Sequence, residues 1–457
     1  MKTISITKKT ILAATLMLFV FSFNVAIAQT SITTSKGNSY SFNSSNKNGV
    51  RTYHVKNGQK DFRIEYEGEI TLSNNDKDIT AISRGGFIEI KKSSFGTKRR
   101  ILIHNESGTL VKKYFVGWSE KPYINEGRKW LAEILPEILR TTTIAAKSRV
   151  NRFYRNGGAS AVLSEVKKMK SDYVKSAYIK LLLKKSLSTS DLVKTIETSG
   201  DYIKSDHYVS QILKSNQKAF LKNGRTVTAY INATKSIGSD HYASQILKTI
   251  IKNKEVSDKQ LVHLLEITKG IKSDHYLTQI LTSIMDSRTL NANNVSNVLS
   301  ISKKIKSDHY KTQIIKKVLK NENLNSKTYY QLMTILNDVK SDHYTSSVIK
   351  ELLKEKLDEA SFSTLLNLIN QRITSDHYMS NLYISMAKQE NLSETQIMAI
   401  LHSSVNKIKS SHSLSKVLIA FSKRVKTSSK KLKDAYKLVA KTIKSDTHYG
   451  RVMKALN

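Results

Sequence analysis

The residues of this chain best suited to chemistry are aspartate–histidine pairs, and they recur. Ser-Asp-His-Tyr occurs six times at intervals of 34 residues. The copies are Ser205-Asp206-His207-Tyr208, Ser239-Asp240-His241-Tyr242, Ser273-Asp274-His275-Tyr276, Ser307-Asp308-His309-Tyr310, Ser341-Asp342-His343-Tyr344 and Ser375-Asp376-His377-Tyr378. Carboxylate and imidazole are zinc ligands, but zinc needs three or four of them about 2 Å from one point. Equivalent residues of stacked helices stand about 8–10 Å apart, and adjacent helical positions point in different directions. One row of histidines therefore cannot share an ion, and no metal is expected. A row of imidazoles could also sense acidity near pH ~6–7; a structural duty ranks above that.

No other chemistry competes. The chain has no H-E-x-x-H, no G-x-S-x-G, no phosphate loop and no cysteine, so the zinc-peptidase, serine-hydrolase, nucleotide and thiol classes lack their signatures. His54 and His104 fall in strand-like segments with no acid at a suggestive spacing, which reads as satisfied or surface histidine. No catalytic residue, cofactor or metal is expected, and the protein reads as a non-enzyme.

The elements that carry the tetrad follow from its period. A repeat of 34 residues means small units that cannot bury their own apolar faces and must stack. A degenerate copy, Ser171-Asp172-Tyr173, stands one period earlier, and looser copies follow at Ser410-Ser411-His412 and Ser445-Asp446-Thr447-His448-Tyr449. Each unit reads as two helices. In the unit that starts at Ser239, the third counted from Ser171, Tyr242, Ile246, Leu247, Ile250 and Ile251 form the apolar stripe of the first helix, and Leu261, Leu264, Leu265 and Ile267 that of the second. Position 19 of the units holds Thr189, Asn223, Ser257, Asn291, Asn325, Glu359 and Ser393, of which all but Glu359 suit a helix N-cap. The tetratricopeptide repeat has this length, but the region after Ser171 has no Trp or Pro, so the repeat is a different one. Within the tetrad, Ser is expected to cap the first helix, Asp to face its positive dipole end, and Tyr to pack with its hydroxyl on a polar partner. His is left to bond across to the adjacent repeat.

The expected fold is α+β: a small antiparallel β-rich head followed by an α-solenoid. Residues 1–28 read as a signal peptide, with Lys2, Lys8 and Lys9, an apolar run from Ile11 to Phe23, and Ala26-Ile27-Ala28. Residues 29–124 form the head, its Ser/Thr/Asn-rich stretch to about 45 expected to be poorly ordered. Alternation at Phe62, Ile64 and Tyr66 and at Phe87-Ile88-Glu89-Ile90, with turn signals between runs, predicts an antiparallel meander or small sandwich. Residues 125–170 form a helical transition: Trp130 to Ile138 with a kink at Pro136, a helix ended by Gly157-Gly158, and one from Ala161 to Met169. Residues 171–457 form the repeats and a C-terminal capping helix. The protein is expected to be exported to the periplasm or beyond, with no membrane insertion once the signal is removed.

Lys and Arg number 75 against 37 Asp and Glu, a formal charge of +38. Such a balance favours polyanions such as envelope polymers or nucleic acid. Lys outweighs Arg, however, and Arg is the residue for bidentate phosphate contacts, so a solvated surface with weak polyanion affinity is the plainer reading.

The segment from Phe62 to Tyr173 resembles a family of exported bacterial envelope proteins. The marks are Glu67-Gly68-Glu69-Ile70, Asp76-Lys77-Asp78-Ile79, Gly85-Gly86-Phe87-Ile88-Glu89-Ile90, Trp130-Leu131-Ala132-Glu133-Ile134-Leu135-Pro136 and Ser171-Asp172-Tyr173. Similar Ser-Asp-x-Tyr repeats also occur in the extracytoplasmic region of beta-lactam-sensor-like membrane metallopeptidases. The peptidase part has no counterpart here, so the resemblance implies a sensory or protein-binding role and no catalysis. The expected function is a non-enzymatic envelope scaffold that takes a protein or peptide partner, with polyanion binding as the alternative.

Overall fold

The computed structural model describes residues 28–33, 39–47, 49–57, 60–94, 96–253, 256–320, 325–354, 359–389 and 392–457. The signal-peptide reading of residues 1–28 falls almost wholly outside them. The fold is α+β, with an antiparallel β head followed by a repeated helical array. It divides into two compact units, one of residues 1–156 with 168–178 and one of residues 157–167 with 179–457.

In the first unit, eight strands form one antiparallel sheet in the order β1 (Ala28–Thr33), β2 (Ser39–Lys47), β3 (Val50–Asn57), β4 (Lys60–Glu67), β7 (Phe87–Ser94), β8 (Thr97–Glu106), β9 (Thr109–Val116) and β10 (Ser119–Lys121). A ribbon of β5 (Ile70–Leu72) and β6 (Ile79–Ile82) accompanies it. The meander expectation holds. Of the stretch before residue 45 expected to be poorly ordered, residues 29–33 and 39–45 lie in β1 and β2, which pair antiparallel from Ala28↔Ser44 to Thr33↔Ser39, and residues 34–38 lie outside the described residues. Strands at a sheet edge need backbone pairing more than apolar side chains, so Ser and Thr suffice.

Register decides which face is buried. Ile64, Ile90, Ile101 and Tyr114 stand in one cross-strand row and are all buried. Helix α1 (Arg128–Thr141) covers that face with Trp130, Leu131, Ile134, Leu135 and Ile138, the i, i+4 stripe read from the sequence. Each such side chain contributes roughly 1.5–3 kcal/mol on burial. Pro136 lies inside this helix. Helix α2 (Ala146–Lys168) breaks at Gly157 and Gly158, the latter at φ +62°, a left-handed value that glycine adopts without strain.

The unit is fastened by a buried ion pair. Asp76, in the turn between β5 and β6, has φ +59° and accepts from Arg149 Nε at 3.0 Å and Nη2 at 2.8 Å. Arg152 also reaches it and bonds the Ser73 carbonyl at 2.9 Å. The Arg149 side chain is only 2% exposed.

The repeats begin with α3 (Asp172–Leu182) and α4 (Thr189–Tyr202). They continue as α5 (Asp206–Ser215), the short α6 (Gln217–Phe220), α7 (Gly224–Thr234), α8 (Asp240–Ile251), α9 (Asp258–Thr268), α10 (Asp274–Ser287), α11 (Ala292–Ser302), α12 (Asp308–Leu319), α13 (Ser326–Asn337), α14 (Asp342–Leu352) and α15 (Glu359–Arg372). The last are α16 (Asp376–Ala387), α17 (Glu394–Lys407), α18 (Ser411–Lys426), α19 (Lys430–Ala440) and α20 (Asp446–Leu456). First helices pack on first helices, as α8, α10 and α12 do, and second on second, as α9, α11 and α13 do. The core is the expected stripe, shifted slightly. In the unit that starts at Ser239, Ala243, Ile246, Leu247, Ile250 and Ile251 are buried, while Tyr242 and Ile267 are half-buried. Second helices start at the expected caps: Asn223, Ser257, Asn291, Asn325 and Ser393 accept from first-turn amides. In the first unit the cap is Ser188 and not Thr189, which is already helical. Among the described residues no helix is long and apolar enough to cross a membrane.

Candidate functional site

Each tetrad begins at a helix start, as read, but its members do different work from the reading. Ser239, Ser273, Ser307, Ser341 and Ser375 occupy the N-cap position with extended backbone and make no side-chain cap bond; Ser205 likewise makes none. The expectation that the serine hydroxyl caps the first helix is therefore corrected. The aspartate instead holds the helix start from one repeat away. Asp240 Oδ2 accepts from the backbone N–H of Lys272 at 3.0 Å and of Ser273 at 2.7 Å. Asp206, Asp274, Asp308, Asp342 and Asp376 bond in the same way to the amides of Gly238 and Ser239, Lys306 and Ser307, Lys340 and Ser341, Thr374 and Ser375, and Lys409 and Ser410. The carboxylate thus lies at the start of its own helix and holds the N-cap amide of the next, with the amide just before it.

The histidine joins the same repeats from the exposed side. Nδ1 meets the tyrosine hydroxyl of the following repeat, His207 to Tyr242 at 3.3 Å, His241 to Tyr276 at 3.0 Å, His275 to Tyr310 at 3.1 Å and His343 to Tyr378 at 3.4 Å. His309 lies edge-on to Tyr344 with ring centroids 5.7 Å apart. The cross-repeat bond expected of the histidine and the polar partner expected of the tyrosine are the same contact.

Two residues that sequence reasoning missed complete the ladder. Gln211, Gln245, Gln279 and Gln313 place Nε2 on the Nε2 of the histidine four residues before, at 2.7, 2.9, 2.8 and 3.0 Å. Lys180 and Lys248 of the preceding repeats donate to Gln211 Oε1 at 2.6 Å and Gln279 Oε1 at 2.7 Å, and Lys214 reaches Gln245 Oε1. An ammonium can only donate, so it holds the amide oxygen towards itself and the amide N–H towards the imidazole. Nε2 must then accept, Nδ1 carries the hydrogen, and that hydrogen is donated to the tyrosine oxygen. The ladder therefore runs in one direction, from Lys through Gln and His to Tyr, across three repeats. Burial holds the Lys180 ammonium below its usual range. The signal was available, since Gln fills the seventh column of four successive units and Lys180, Lys214, Lys248, Lys316 and Lys350 share the tenth.

The looser copies show the ladder lapsing. In Ser410-Ser411-His412 the aspartate is replaced by Ser411, and here the Ser410 hydroxyl does cap, accepting from Ser413 N–H at 3.3 Å. His412 lies edge-on to His448 with centroids 5.4 Å apart. Lys416 first, then loss of solvent, His448 and Arg451 push its imidazole below the ordinary value.

These bonds define what the tetrad can do chemically. Its carboxylates face backbone donors and its imidazoles face Tyr and Gln, and among the described residues no group of three or more His, Asp or Glu could hold a metal. In the head, His54 and His104 each stand near an acid that sequence spacing did not suggest. His54 Nε2 stands 2.6 Å from Asp61 Oδ1 and His104 Nε2 3.6 Å from Glu106 Oε2. Hairpin pairing of β3 with β4 brings the first pair together, and alternation within β8 puts the second on one face.

No protein-family model matches the chain, and no curated protein matches it either. One solved structure it is similar to comes from the computational design of self-assembling cyclic protein homooligomers, at 10% identity over 71% of this chain and 94% of that one, with a TM-score of 0.10.

Proposed function

We propose that this is a non-enzymatic, exported binding or scaffold protein of a bacterial envelope, whose helical array engages a protein or peptide partner. The support is a contrast between columns of the repeat. The tetrad is the same in six repeats and its polar groups are spent on neighbouring repeats. The outward position of the second helix varies among the repeats: Lys194, Thr228, Val262, Ser296, Tyr330 and Thr364. Val262 is 47% and Tyr330 75% exposed. A surface that changes from unit to unit suits a partner without a periodic structure, and tyrosine is a favoured anchor in such interfaces. The test is a pull-down from envelope extract with the wild-type chain and with Val262→Glu/Tyr330→Glu. A saturable partner lost in the variant supports the proposal. Absence of any saturable partner, or equal capture by the variant, overturns it.

A second reading, binding of a polyanion, is favoured by one observation. Lys214, Lys248, Lys316 and Lys350 repeat at one position of the first helices, and Lys218, Lys252, Lys320, Lys354 and Lys388 at a position just past their ends, all exposed or half-exposed. Rows about 8–10 Å apart suit a linear anionic polymer. That reading requires affinity that falls steeply as salt rises, and flat binding between low and moderate salt removes it.

A further inference from the structure

We infer that one end of the β head is a docking surface for an anionic lipid membrane, with Trp118 as its anchor. At this end β4, β7, β8 and β9 pair as Asp61↔Ser93, Ser93↔Lys98 and Arg99↔Val116. Here the two-residue turn Gly117-Trp118 joins β9 to β10, with Gly117 at φ +60°. That turn leaves the Trp118 side chain 99% exposed, whereas the other tryptophan, Trp130, is 4% exposed. A fully exposed indole is an unusual cost for a folded chain, and exposed apolar groups rimmed by charge mark interaction sites.

The surroundings select the partner. An open cavity of about 860 Å³ adjoins Trp118 and is lined in part by Arg63, Lys91, Lys98, Arg99 and Arg100. Most acids nearby are already paired: Asp61 with His54 at 2.6 Å, Glu65 with Arg63 at 3.0 Å, and Glu89 with Lys91 at 2.5 Å and Arg100 at 3.1 Å; the exposed Glu120, opposite Phe115 in β10, is one carboxylate against the several cations. Arg100 also lies over the Phe115 ring at 3.9 Å. Lys98 and Arg99 are exposed, and among the described residues neither pairs with a carboxylate. The patch is therefore a free tryptophan beside uncompensated cations, a complement to anionic groups lying beneath an apolar layer. Tryptophan favours the headgroup level of a bilayer, and basic residues favour its anionic lipids. A peptide or sugar partner would gain most from an indole set between walls. At 99% exposure Trp118 stands at the rim of the open cavity and is not held between walls, and a lipid interface closes round a projecting ring from every side.

The test uses the full chain and vesicles of phosphatidylcholine with and without about 30% phosphatidylglycerol, a fraction set so that the surface carries the charge these cations need. Because Trp130 is buried, the change in emission reports Trp118. The expected result is a blue shift and quenching by bilayer-embedded quenchers on the anionic vesicles alone. Trp118→Ala should weaken partition about tenfold or more, the order of burying one large apolar ring. Lys98→Gln/Arg99→Gln should weaken it roughly thirtyfold, from two surface charges. Unshifted emission overturns the inference. So does vesicle binding that survives both variants, because the lysine rows of the array would then carry it. Binding of soluble polyphosphate that depends on Trp118, without vesicle binding, also overturns it by placing the anion in solution.

Discussion

Replacing Asp240 with alanine separates the two accounts of the tetrad. Asp240 sits in the first turn of α8, and its Oδ2 accepts the amides of Lys272 and Ser273 at the start of α10, at 3.0 and 2.7 Å. A hydrogen bond to a charged group contributes roughly 1.5–3 kcal/mol. Two such bonds set an upper limit, but Lys272 is exposed and Ser273 half-buried, so water restores part of the loss. Asp240→Ala should cost about 2–3 kcal/mol. Asp240→Asn keeps an oxygen for both amides and loses the charge at the helix end, which costs about 1 kcal/mol. Ser273→Ala should cost less than about 0.5 kcal/mol, below the usual cap penalty, because its hydroxyl makes no cap bond. Hydrogen exchange at the amides of Lys272 and Ser273 is the assay of choice, since a repeat array need not unfold in one step. Urea unfolding gives the overall cost. If Ser273→Ala is worse than Asp240→Ala, or if those two amides keep their protection in Asp240→Ala, the clasp is not what holds α10.

Arg149→Ala should destabilise the head by about 3–5 kcal/mol, the usual loss when one partner of a buried ion pair is removed, read from urea unfolding followed at Trp130. His241→Ala and Tyr276→Phe should each cost about 0.5–1 kcal/mol, with a double-mutant cycle showing that the two losses do not add. Burial pushes the phenols of Tyr53, Tyr123, Tyr230, Tyr383 and Tyr436 well above the ordinary value. Their folded pKa exceeds the unfolded one near ~10, so the stability they contribute is complete below that pH and is lost as pH rises through and above it. Alkaline titration at 295 nm, a wavelength at which phenolate absorbs, should show these tyrosines ionising only together with unfolding, and Tyr230→Phe should lessen the alkaline loss.

The period of 34 residues made the array legible, since it fixes both helix starts and the apolar stripes. What the tetrad does was half legible. Aspartate beside a helix start reads as a local charge, and nothing within its own 34 residues discloses that its partners are amides 32 and 33 positions on. The Gln and Lys columns were visible but had no meaning until adjacent repeats were set side by side. In the head, alternation predicted strands, but register decides which side chains meet, so His54 with Asp61 could not be read. Asp76 and Arg149 are 73 residues apart, a distance that no local pattern crosses.

The lapse at Ser411 offers a test by gain. The seventh repeat still clasps the eighth, for Asp376 bonds the amides of Lys409 and Ser410 at 3.0 and 2.7 Å, 33 and 34 residues away. Ser411 stands at the same separations from Lys444 and Ser445, at the start of α20. Ser445 is the N-cap there, again with no side-chain cap bond. Serine is too short to repeat the carboxylate's reach, so α20 starts without either device. Ser411→Asp should supply the clasp, raising protection of the Lys444 and Ser445 amides by about tenfold and stabilising α20 by about 1–2 kcal/mol, the value of one or two partly exposed charged bonds. The same variant removes no observed contact of Ser411, and its negative charge falls in the first turn of α18, where the helix dipole favours it. Ser411→Asn should give less than half of the gain if charge matters. If neither variant changes exchange at residues 444 and 445, position 2 of the tetrad does not by itself specify the joint, and the clasp depends on other residues of the six regular repeats.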